Sequence, residues 1–229
     1  MRPLLILRPE PGAGATAARA RARGLEPVVA PLFRLRPLPW DAPPAEAYDA
    51  ILVTSANAAR LAGRVPAGPC FAVGEASAAA AREAGFADVT AGPADGEAAA
   101  ALMAAQGVRR ALHLCGRDHH AVRHPEIEVE RRIVYAADAV ERLPEAARRA
   151  LDEGAVVLLH SPRAAATFAA LAPPRPRVSL AAISAAAAAA AGGGWGEILV
   201  AAAPRDAALL ELAGKLCNTP PPDAAATGR

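Results

Sequence analysis

Hydroxyl side chains recur where short apolar runs of this chain end or where alanine-rich stretches begin. They are Thr54, Ser55, Ser77, Ser161 and Ser184. A hydroxyl at the start of a helix accepts a hydrogen bond from a backbone amide and so caps the helix. Several such hydroxyls on the walls of one cleft, together with the free amides of helix N termini, would instead bind the carboxylates of an anionic ligand. The residue types leave both roles open.

The chain contains the same arrangement twice around these hydroxyls. Residues 51–60 read ILVTSANAAR, and residues 157–166 read VLLHSPRAAA. Each segment is followed by a second apolar run that ends at glycine or serine before another alanine-rich stretch, in 71–86 and in 181–195. Each copy therefore predicts a strand, a helix, a second strand and a second helix. Because α/β sheets bind ligands at the ends of their strands, the repeat indicates two α/β units with a ligand between them.

Short apolar runs along the whole chain predict β-strands. They are 4–7, 27–32, 50–54, 70–73, 111–114, 133–135, 156–160, 178–183 and 198–201. The runs are continuous rather than alternating, which is typical of strands covered on both faces. Between them lie stretches rich in Ala, Arg and Glu, several of which end in glycine as helices do. The alternation predicts parallel sheets, and the stretches 34–44 and 136–144 are the predicted linkers.

The composition argues against several classes of protein. A net charge of +2, without a basic stripe interleaved with aromatics, gives no support for a nucleic-acid interface. The three cysteines are odd in number and unpatterned, as reduced thiols in a cytosol would be. Arg8 interrupts the first apolar run, so no signal peptide is expected, and 180–191 is too short and too alanine-rich to span a bilayer. The sequence predicts a cytoplasmic protein that binds neither nucleic acid nor membrane.

Two other motifs compete for a functional interpretation. Residues 12–17 read GAGATA, which matches the GxGxxA pattern of dinucleotide sites. However, residues 8–11 separate the strand from these glycines, which favours a flexible strand-to-helix loop. His120 and His124 have the spacing of a zinc-protease helix, but the glutamate is missing and Pro125 follows at once. A solvated loop without a metal is the prediction here.

The order of several segments along the chain resembles the uroporphyrinogen-III synthase family, whose members close the tetrapyrrole ring in haem biosynthesis. The resemblance covers about residues 3–217 and rests on the order and spacing of its segments more than on any one of them. The segments are LILRPEP at 5–11, LVTSANAA at 52–59, AVGEAS at 72–77, LHLCGR at 112–117, VY at 134–135, HSPR at 160–163 and AAIS at 181–184.

The resemblance implies a reaction. Members of the family convert hydroxymethylbilane, a linear tetrapyrrole with eight carboxylates, into uroporphyrinogen III without a metal or cofactor. Loss of the terminal hydroxyl leaves an azafulvene, and attack at the substituted carbon of ring D gives a spiro intermediate whose rearrangement inverts that ring. The implied enzyme is a cyclising hydro-lyase that acts mainly by holding a reactive substrate in one conformation. It is expected to be a monomer, and transient contact with the preceding pathway enzyme is compatible with this role.

The resemblance also implies the architecture, an α/β fold of two similar three-layer domains with parallel sheets, flavodoxin-like or doubly wound. A two-segment linker would join the domains around a central cleft. The expected divisions are a first domain from 1–34 and 141–217, a second domain from 38–132, connectors at 35–37 and 133–140, and a disordered tail at 218–229.

The resemblance finally implies the site. Tyr135 is the expected catalytic residue, because a phenol can donate a proton to the departing hydroxyl. The other possibility for Tyr135 is a core or hinge tyrosine at a strand end. The expected substrate-binding residues are Arg8, Thr54, Ser55, Asn57, Gly74, Ser77, Gly116, Ser161 and Ser184.

Three departures from the family pattern are visible in the sequence. A Gly-x-x-Thr element of the family is replaced by Ser-Ala-Ala-Ala at 184–187, Leu7 stands where a threonine is common, and the segment 116–129 is short, so a helix there is expected to be reduced to a loop. The loss of a hydroxyl at 184–187 favours one alternative function: a two-lobed small-molecule binding or sensor protein that has lost turnover.

Overall fold

The computed structural model describes residues 1–93 and 95–222, which fall into two compact α/β units. The first unit comprises Met1–Arg34 together with the chain from Ala139 onward, and the second unit comprises Leu35–Asp138. Among the helices of the described residues, none combines the length and the apolar character that crossing a membrane would require.

Strands and helices alternate along most of the chain. The strands are β1 (Leu4–Ile6), β2 (Pro27–Val29), β3 (Phe33–Pro37), β4 (Ala50–Val53), β5 (Cys70–Val73), β6 (Val89–Gly92), β7 (Arg110–Gly116), β8 (Glu128–Ala139), β9 (Val156–Leu159), β10 (Ser179–Ala182) and β11 (Glu197–Val200). The α-helices are α1 (Gly12–Arg21), α2 (Ala56–Leu61), α3 (Gly74–Glu83), α4 (Gly96–Ala105), α5 (Glu145–Asp152), α6 (Pro162–Leu171), α7 (Ala185–Ala190) and α8 (Asp206–Cys217).

The first unit is built on a parallel sheet with the order β11-β10-β9-β1-β2. Leu4 and Ile6 of β1 pack in one apolar cluster with residues of α1 and α8. Leu5, which lies between them and points to the other face, is also fully buried. Both faces of this sheet are therefore covered, as the continuous apolar runs predict.

The second unit is built on a sheet with the order β3-β8-β7-β4-β5-β6, in which β8, β7, β4, β5 and β6 run parallel. Ile51 and Val53 of β4 pack with alanines of α2 and α3 in one cluster. Ala50 and Leu52 point the opposite way and pack with Met103 of α4 in another. The alternate residues of one strand thus serve two helical layers, so this unit has three layers.

The internal repeat is confirmed as a structural repeat. The first copy forms β4, α2, β5 and α3, and the second copy forms β9, α6, β10 and α7. In both copies the two strands are parallel neighbours, β4 with β5 and β9 with β10. The predicted α/β class with parallel sheets is confirmed.

Several local predictions were wrong, and polarity explains most of them. β3 and β6 are edge strands with mixed polar and apolar residues, so a search for continuous apolar runs misses them. Residues 33–37 belong to β3 and residues 128–139 to β8, so the predicted linkers at 34–44 and 136–144 each begin within a strand. Gly12 and Gly14 lie in α1 rather than in a flexible loop.

The short segment between β7 and β8 is a loop, as predicted. Within the described residues it contains no helix, and one antiparallel bridge joins His124 to Ile127. At the other end of the chain, residues 218–222 form a turn and coil after α8. The remainder of the predicted tail, 223–229, lies outside the described residues.

Candidate functional site

The second unit has a cavity where its strand order reverses. β5 lies on one side of β4 and β7 lies on the other, so the chain leaves the carboxyl ends of β4 and β7 in opposite directions. Ligands of open α/β sheets bind at such points. The cavity has a volume of about 600 Å³. Its lining residues are Thr54, Ser55, Val73, Asp95, Gly96, Glu97, Gly116, Asp118, His119, His120, Ala121, Val122 and Tyr135.

Tyr135 enters this cavity from β8 because Gly116 leaves room for its ring. The register of β7 against β8 shifts between Cys115 and Gly116, which brings Gly116 opposite Tyr135. A Cβ atom on Gly116 would lie 2.6 Å from Cζ of Tyr135 and 2.9 Å from its hydroxyl oxygen. Any larger residue at 116 would displace the ring, so Gly116 determines where the phenol lies. Tyr135 thus reaches the cavity from β8, a strand of the second sheet, and its position is set by the register with β7.

Ser55 both caps α2 and contacts the phenol. Its Oγ accepts a hydrogen bond from the amide of Asn57 at 3.2 Å, the geometry of an N-cap. The same Oγ lies 3.3 Å from the hydroxyl of Tyr135. Since the Asn57 amide uses one lone pair of Oγ, the Ser55 hydroxyl hydrogen is available to the phenol oxygen. Ser55 can therefore cap α2 and contact Tyr135 at the same time.

Two histidines are hydrogen-bonded to residues that line the cavity, His113 to Thr54 and His119 to Gly116. His113 Nε2 lies 2.9 Å from Thr54 Oγ1, and His113 is fully buried. His119 Nδ1 lies 2.9 Å from the carbonyl oxygen of Gly116, and its Nε2 lies 3.2 Å from an Arg131 nitrogen. A carbonyl can only accept and a guanidinium can only donate, so His119 carries its proton on Nδ1.

The start of α4 forms the opposite wall, together with the loop after β7. Asp95 caps α4 through a 2.7 Å bond from the amide of Ala98. A Cβ atom on Gly96 would lie 2.5 Å from Val122, so glycine lets the loop approach the helix. Asp95, Glu97 and Asp118 make this wall acidic. Within the described ranges 1–93 and 95–222, no group of side chains has a metal-binding arrangement.

The remaining predicted residues of the second unit lie outside this lining. Asn57 contributes its backbone amide to the Ser55 cap. Gly74 begins α3 with φ +71°, a conformation that favours glycine. Ser77 is buried within α3. Of the residues predicted in this unit, the structure brings together Thr54, Ser55, Gly116 and Tyr135.

Ser161 and Ser184, in the first unit, are helix caps. Ser161 Oγ accepts a 3.1 Å bond from the amide of Ala164 in α6. Ser184 Oγ accepts a 3.3 Å bond from the amide of Ala187 in α7. Both residues have the extended backbone of an N-cap, so the capping role is directly visible for each of them.

Arg8 is part of a polar network that converges on Asp206. Its guanidinium lies 3.3 Å from Thr16 Oγ1 and 3.5 Å from Asp206 Oδ1. Asp206 also accepts bonds from Thr16 at 2.9 Å, Arg19 at 2.9 Å and His160 at 3.0 Å. Burial alone would raise the pKa of Asp206, but the hydrogen bonds from His160, Thr16 and Arg19 hold this pKa well below its usual range. The Arg8 side chain is thus already engaged within its own unit.

The sequence interpretation missed several lining residues and misjudged one. His119 directly precedes His120 in the loop that was expected to be solvated, but it is hydrogen-bonded at both ring nitrogens and lines the cavity. Asp95, Glu97 and Asp118 carry no motif, because two separate segments, the start of α4 and the loop after β7, bring them together. His113 did give a signal: it is a polar residue in the middle of the buried run 111–114.

Comparison with known proteins gives one family. The family model described as uroporphyrinogen-III synthase HemD matches residues 14–211. No match was found among the curated proteins compared.

Solved structures of the same name are among those similar to this chain. The uroporphyrinogen-III synthetase of Helicobacter pylori is 18% identical, with a TM-score of 0.66 over 94% of this chain and 100% of its own. A mutant uroporphyrinogen III synthase of Thermus thermophilus is 16% identical, with a TM-score of 0.48 over 92% of this chain and 96% of its own. At 18% identity the Helicobacter pylori structure shows the fold of this chain and nothing finer.

Proposed function

The chain belongs to the uroporphyrinogen-III synthase family, and we propose that it converts hydroxymethylbilane into uroporphyrinogen III at the cavity of the second unit. The product is closed with inversion of ring D, and water is eliminated, so the enzyme is a cyclising lyase. One observation carries this placement: Tyr135, Ser55 and Thr54 meet in one cavity at the strand-order reversal of the second sheet.

Tyr135 is the proton donor in this proposal. Its phenol transfers a proton to the terminal hydroxyl of the substrate, which leaves as water, and the tetrapyrrole becomes an azafulvenium cation, the protonated azafulvene. The phenolate regains a proton from the tetrapyrrole, which loses one when the new carbon–carbon bond closes the ring. The Ser55 hydroxyl, 3.3 Å from the phenol oxygen, donates to that oxygen while it carries negative charge.

The two walls of the cavity suit different parts of the substrate. The hydroxyl of Thr54 is a donor for a substrate carboxylate. Asp95, Glu97 and Asp118 would repel carboxylates, but their oxygens are acceptors for pyrrole N–H groups. The tetrapyrrole would therefore lie with pyrrole nitrogens toward the start of α4 and acid groups toward the carboxyl end of β4. This orientation would hold one reactive conformation, which is the main requirement of the reaction.

The chemistry needs no metal or cofactor, because a protonated leaving group departs from a substrate that is already reactive. We further propose that the enzyme works as a monomer in the cytoplasm, with transient contact with the preceding enzyme of its pathway. The alternative function, a binding or sensor protein without turnover, has no support from the family match or the structural matches.

The decisive experiment for the activity is a product assay. Purified protein is mixed with freshly generated hydroxymethylbilane without added metal, and the products are separated by isomer after oxidation to porphyrins. The expected product is isomer III, formed faster than the closure seen without protein. Isomer I alone, at the rate without protein, would overturn the proposed activity.

A further inference from the structure

His113 is a fully buried histidine that contacts a lining residue of the cavity. It lies in β7 between Leu112 and Leu114, and its Nε2 is 2.9 Å from Thr54 Oγ1. Its ring meets the ring of His119 edge-on, with centroids 6.0 Å apart. Its Nδ1 is buried and has no hydrogen-bond partner among the described residues. An unpartnered buried polar atom in an apolar strand requires an explanation.

The unpartnered nitrogen determines the direction of the hydrogen bond to Thr54. A neutral imidazole carries its proton on one nitrogen and a lone pair on the other. With the proton on Nδ1, a buried N–H would have no acceptor, and such orphaned donors are rare. With the proton on Nε2, only a lone pair is left without a partner. His113 therefore donates from Nε2, and Thr54 Oγ1 accepts.

The same surroundings keep His113 neutral. Burial, His119 and Arg131 lower the pKa of His113 to about 4. The charged form would in addition place a second N–H, on Nδ1, where no described residue accepts it. At neutral pH the direction of the bond is thus fixed rather than exchanging between two tautomers.

We propose that His113 is a positioning residue that makes the Thr54 hydroxyl a directed donor into the cavity. Because Thr54 Oγ1 accepts from His113, its hydroxyl hydrogen is free for an acceptor on the ligand. Among the described hydrogen bonds, the contact with His113 is the one that the Thr54 side chain makes. If His113 accepted instead, Thr54 would show only lone pairs to the cavity and would repel an anion.

The ligand group that this donor recognises is a carboxylate, a step that rests on the proposed function. A hydroxyl held by a buried donor on one side gives a charge-assisted bond to a carboxylate on the other. Holding the hydroxyl in advance also removes the cost of fixing its rotation when the substrate binds. His113 acts through Thr54 and does not touch the substrate.

The tautomer can be measured on the wild-type protein. Nitrogen-15 NMR of the histidine rings at pH 7, with two-bond proton correlations, distinguishes protonation at Nε2 from protonation at Nδ1. His113→Gln assigns the resonance by its disappearance. The expected result is a neutral ring with its proton on Nε2. A proton on Nδ1 would overturn the proposal.

The effect on the substrate can be measured with a double-mutant cycle. Thr54→Val should raise KM for hydroxymethylbilane about tenfold, because a bond to a charged group is lost. His113→Leu should raise KM about fivefold, since the hydroxyl loses its fixed direction. His113→Gln should behave nearly as the wild type, because its amide can donate to Thr54. In a Thr54→Val background, His113→Leu should have no further effect on KM.

The outcomes separate positioning from packing. A KM increase from His113→Leu that persists with valine at 54, or a wild-type KM for His113→Leu, would overturn the positioning role. If the leucine variant does not fold, His113→Met supplies the same comparison, and His124→Gln is the control for a half-buried histidine outside the cavity lining. If the wild type makes no isomer III, the proposed function fails and the substrate role with it, while the NMR result still decides the tautomer.

Discussion

The two units differ at the point where the strand order of each sheet reverses. In the first unit the strand order reverses between β1 and β9, and the polar residues that follow these strands satisfy one another around Asp206. The donors that converge there are Arg8, Thr16, Arg19 and His160. In the second unit the reversal lies between β4 and β7, and Thr54, Ser55 and Tyr135 line a cavity. One reversal point is closed by its own ion network, and the other is open, with a cavity of about 600 Å³ beside it.

The internal repeat shows how little sequence change separates these outcomes. Thr54 and His160 hold the same place in the two copies, each directly before the serine that caps the following helix. The His160 ring reaches Asp206, whereas the shorter Thr54 bonds His113 and leaves space beyond it. The comparison teaches that the repeat supplies the scaffold, and that the residue at this one position and its partner help to decide between a closed polar network and an open cavity.

The largest expected effect is the loss of turnover in Tyr135→Phe. Removing the phenol hydroxyl while keeping the ring should lower kcat about 100-fold, as loss of a positioned general acid does. Tyr48→Phe is the matched control, because Tyr48 is the other tyrosine of the chain and packs in the core of the same unit. The rate constants of product formation in the two variants are compared in single-turnover experiments. Wild-type turnover in Tyr135→Phe would remove this residue from the chemistry.

The next effect concerns stability in acid. The unfolded chain binds a proton at His113 near pH 6.5, whereas burial, His119 and Arg131 lower the pKa of the folded state to about 4. Between pH 6.5 and pH 4, protonation of His113 favours the unfolded state, so the free energy of unfolding should fall as the pH drops through this range. The contribution of His113 is on the order of 3 kcal/mol.

Chemical denaturation at several pH values measures this contribution. His113→Gln should show a smaller fall than the wild type over the same window. Burial also lowers the pKa of His160, although its bond to Asp206 opposes this, so part of the fall should remain in the variant. Parallel curves for the two proteins would show that His113 is not buried in its neutral form.

A smaller effect tests the closed reversal point of the first unit. Asp206→Asn removes the charge on which four donors converge and should lower the free energy of unfolding by about 2 kcal/mol. The kinetics of the folded variant should be those of the wild type, because the network lies outside the proposed site. Asp152→Asn is the control, since Asp152 forms an exposed ion pair with Arg175 in the same unit. A large rise in KM for Asp206→Asn would place the network in the substrate site.

The smallest effect compares two serine caps. Ser55→Ala and Ser161→Ala should each cost about 1 kcal/mol of stability, because both serines accept a bond from a helix amide. Ser55→Ala should in addition slow turnover, since Ser55 also contacts the phenol of Tyr135. Equal kinetics for the two variants would leave Ser55 with capping alone.

The sequence predicts the sheets and helices better than the site, for a physical reason. Continuous apolar runs and the repeat predict the parallel sheets, because a strand that is buried on both faces needs consecutive apolar residues. The edge strands β3 and β6 are mixed in polarity, so that signal is absent from them. The place of the Tyr135 ring depends on a register shift opposite Gly116, and the acidic wall depends on a loop that packs against Gly96. Such contacts between distant segments leave no periodic trace in the sequence.

Mapping the bound product on the protein tests most directly whether the open reversal point is the site. Nitrogen-15-labelled protein is titrated anaerobically with uroporphyrinogen III, and amide shifts are followed in both units. The expected result is that the largest shifts fall on Thr54, Ser55, Gly116 and Tyr135, while the amides of His160 and Asp206 stay near their free positions. Shifts confined to the first unit, with the cavity residues of the second unit unchanged, would contradict the placement of the reaction.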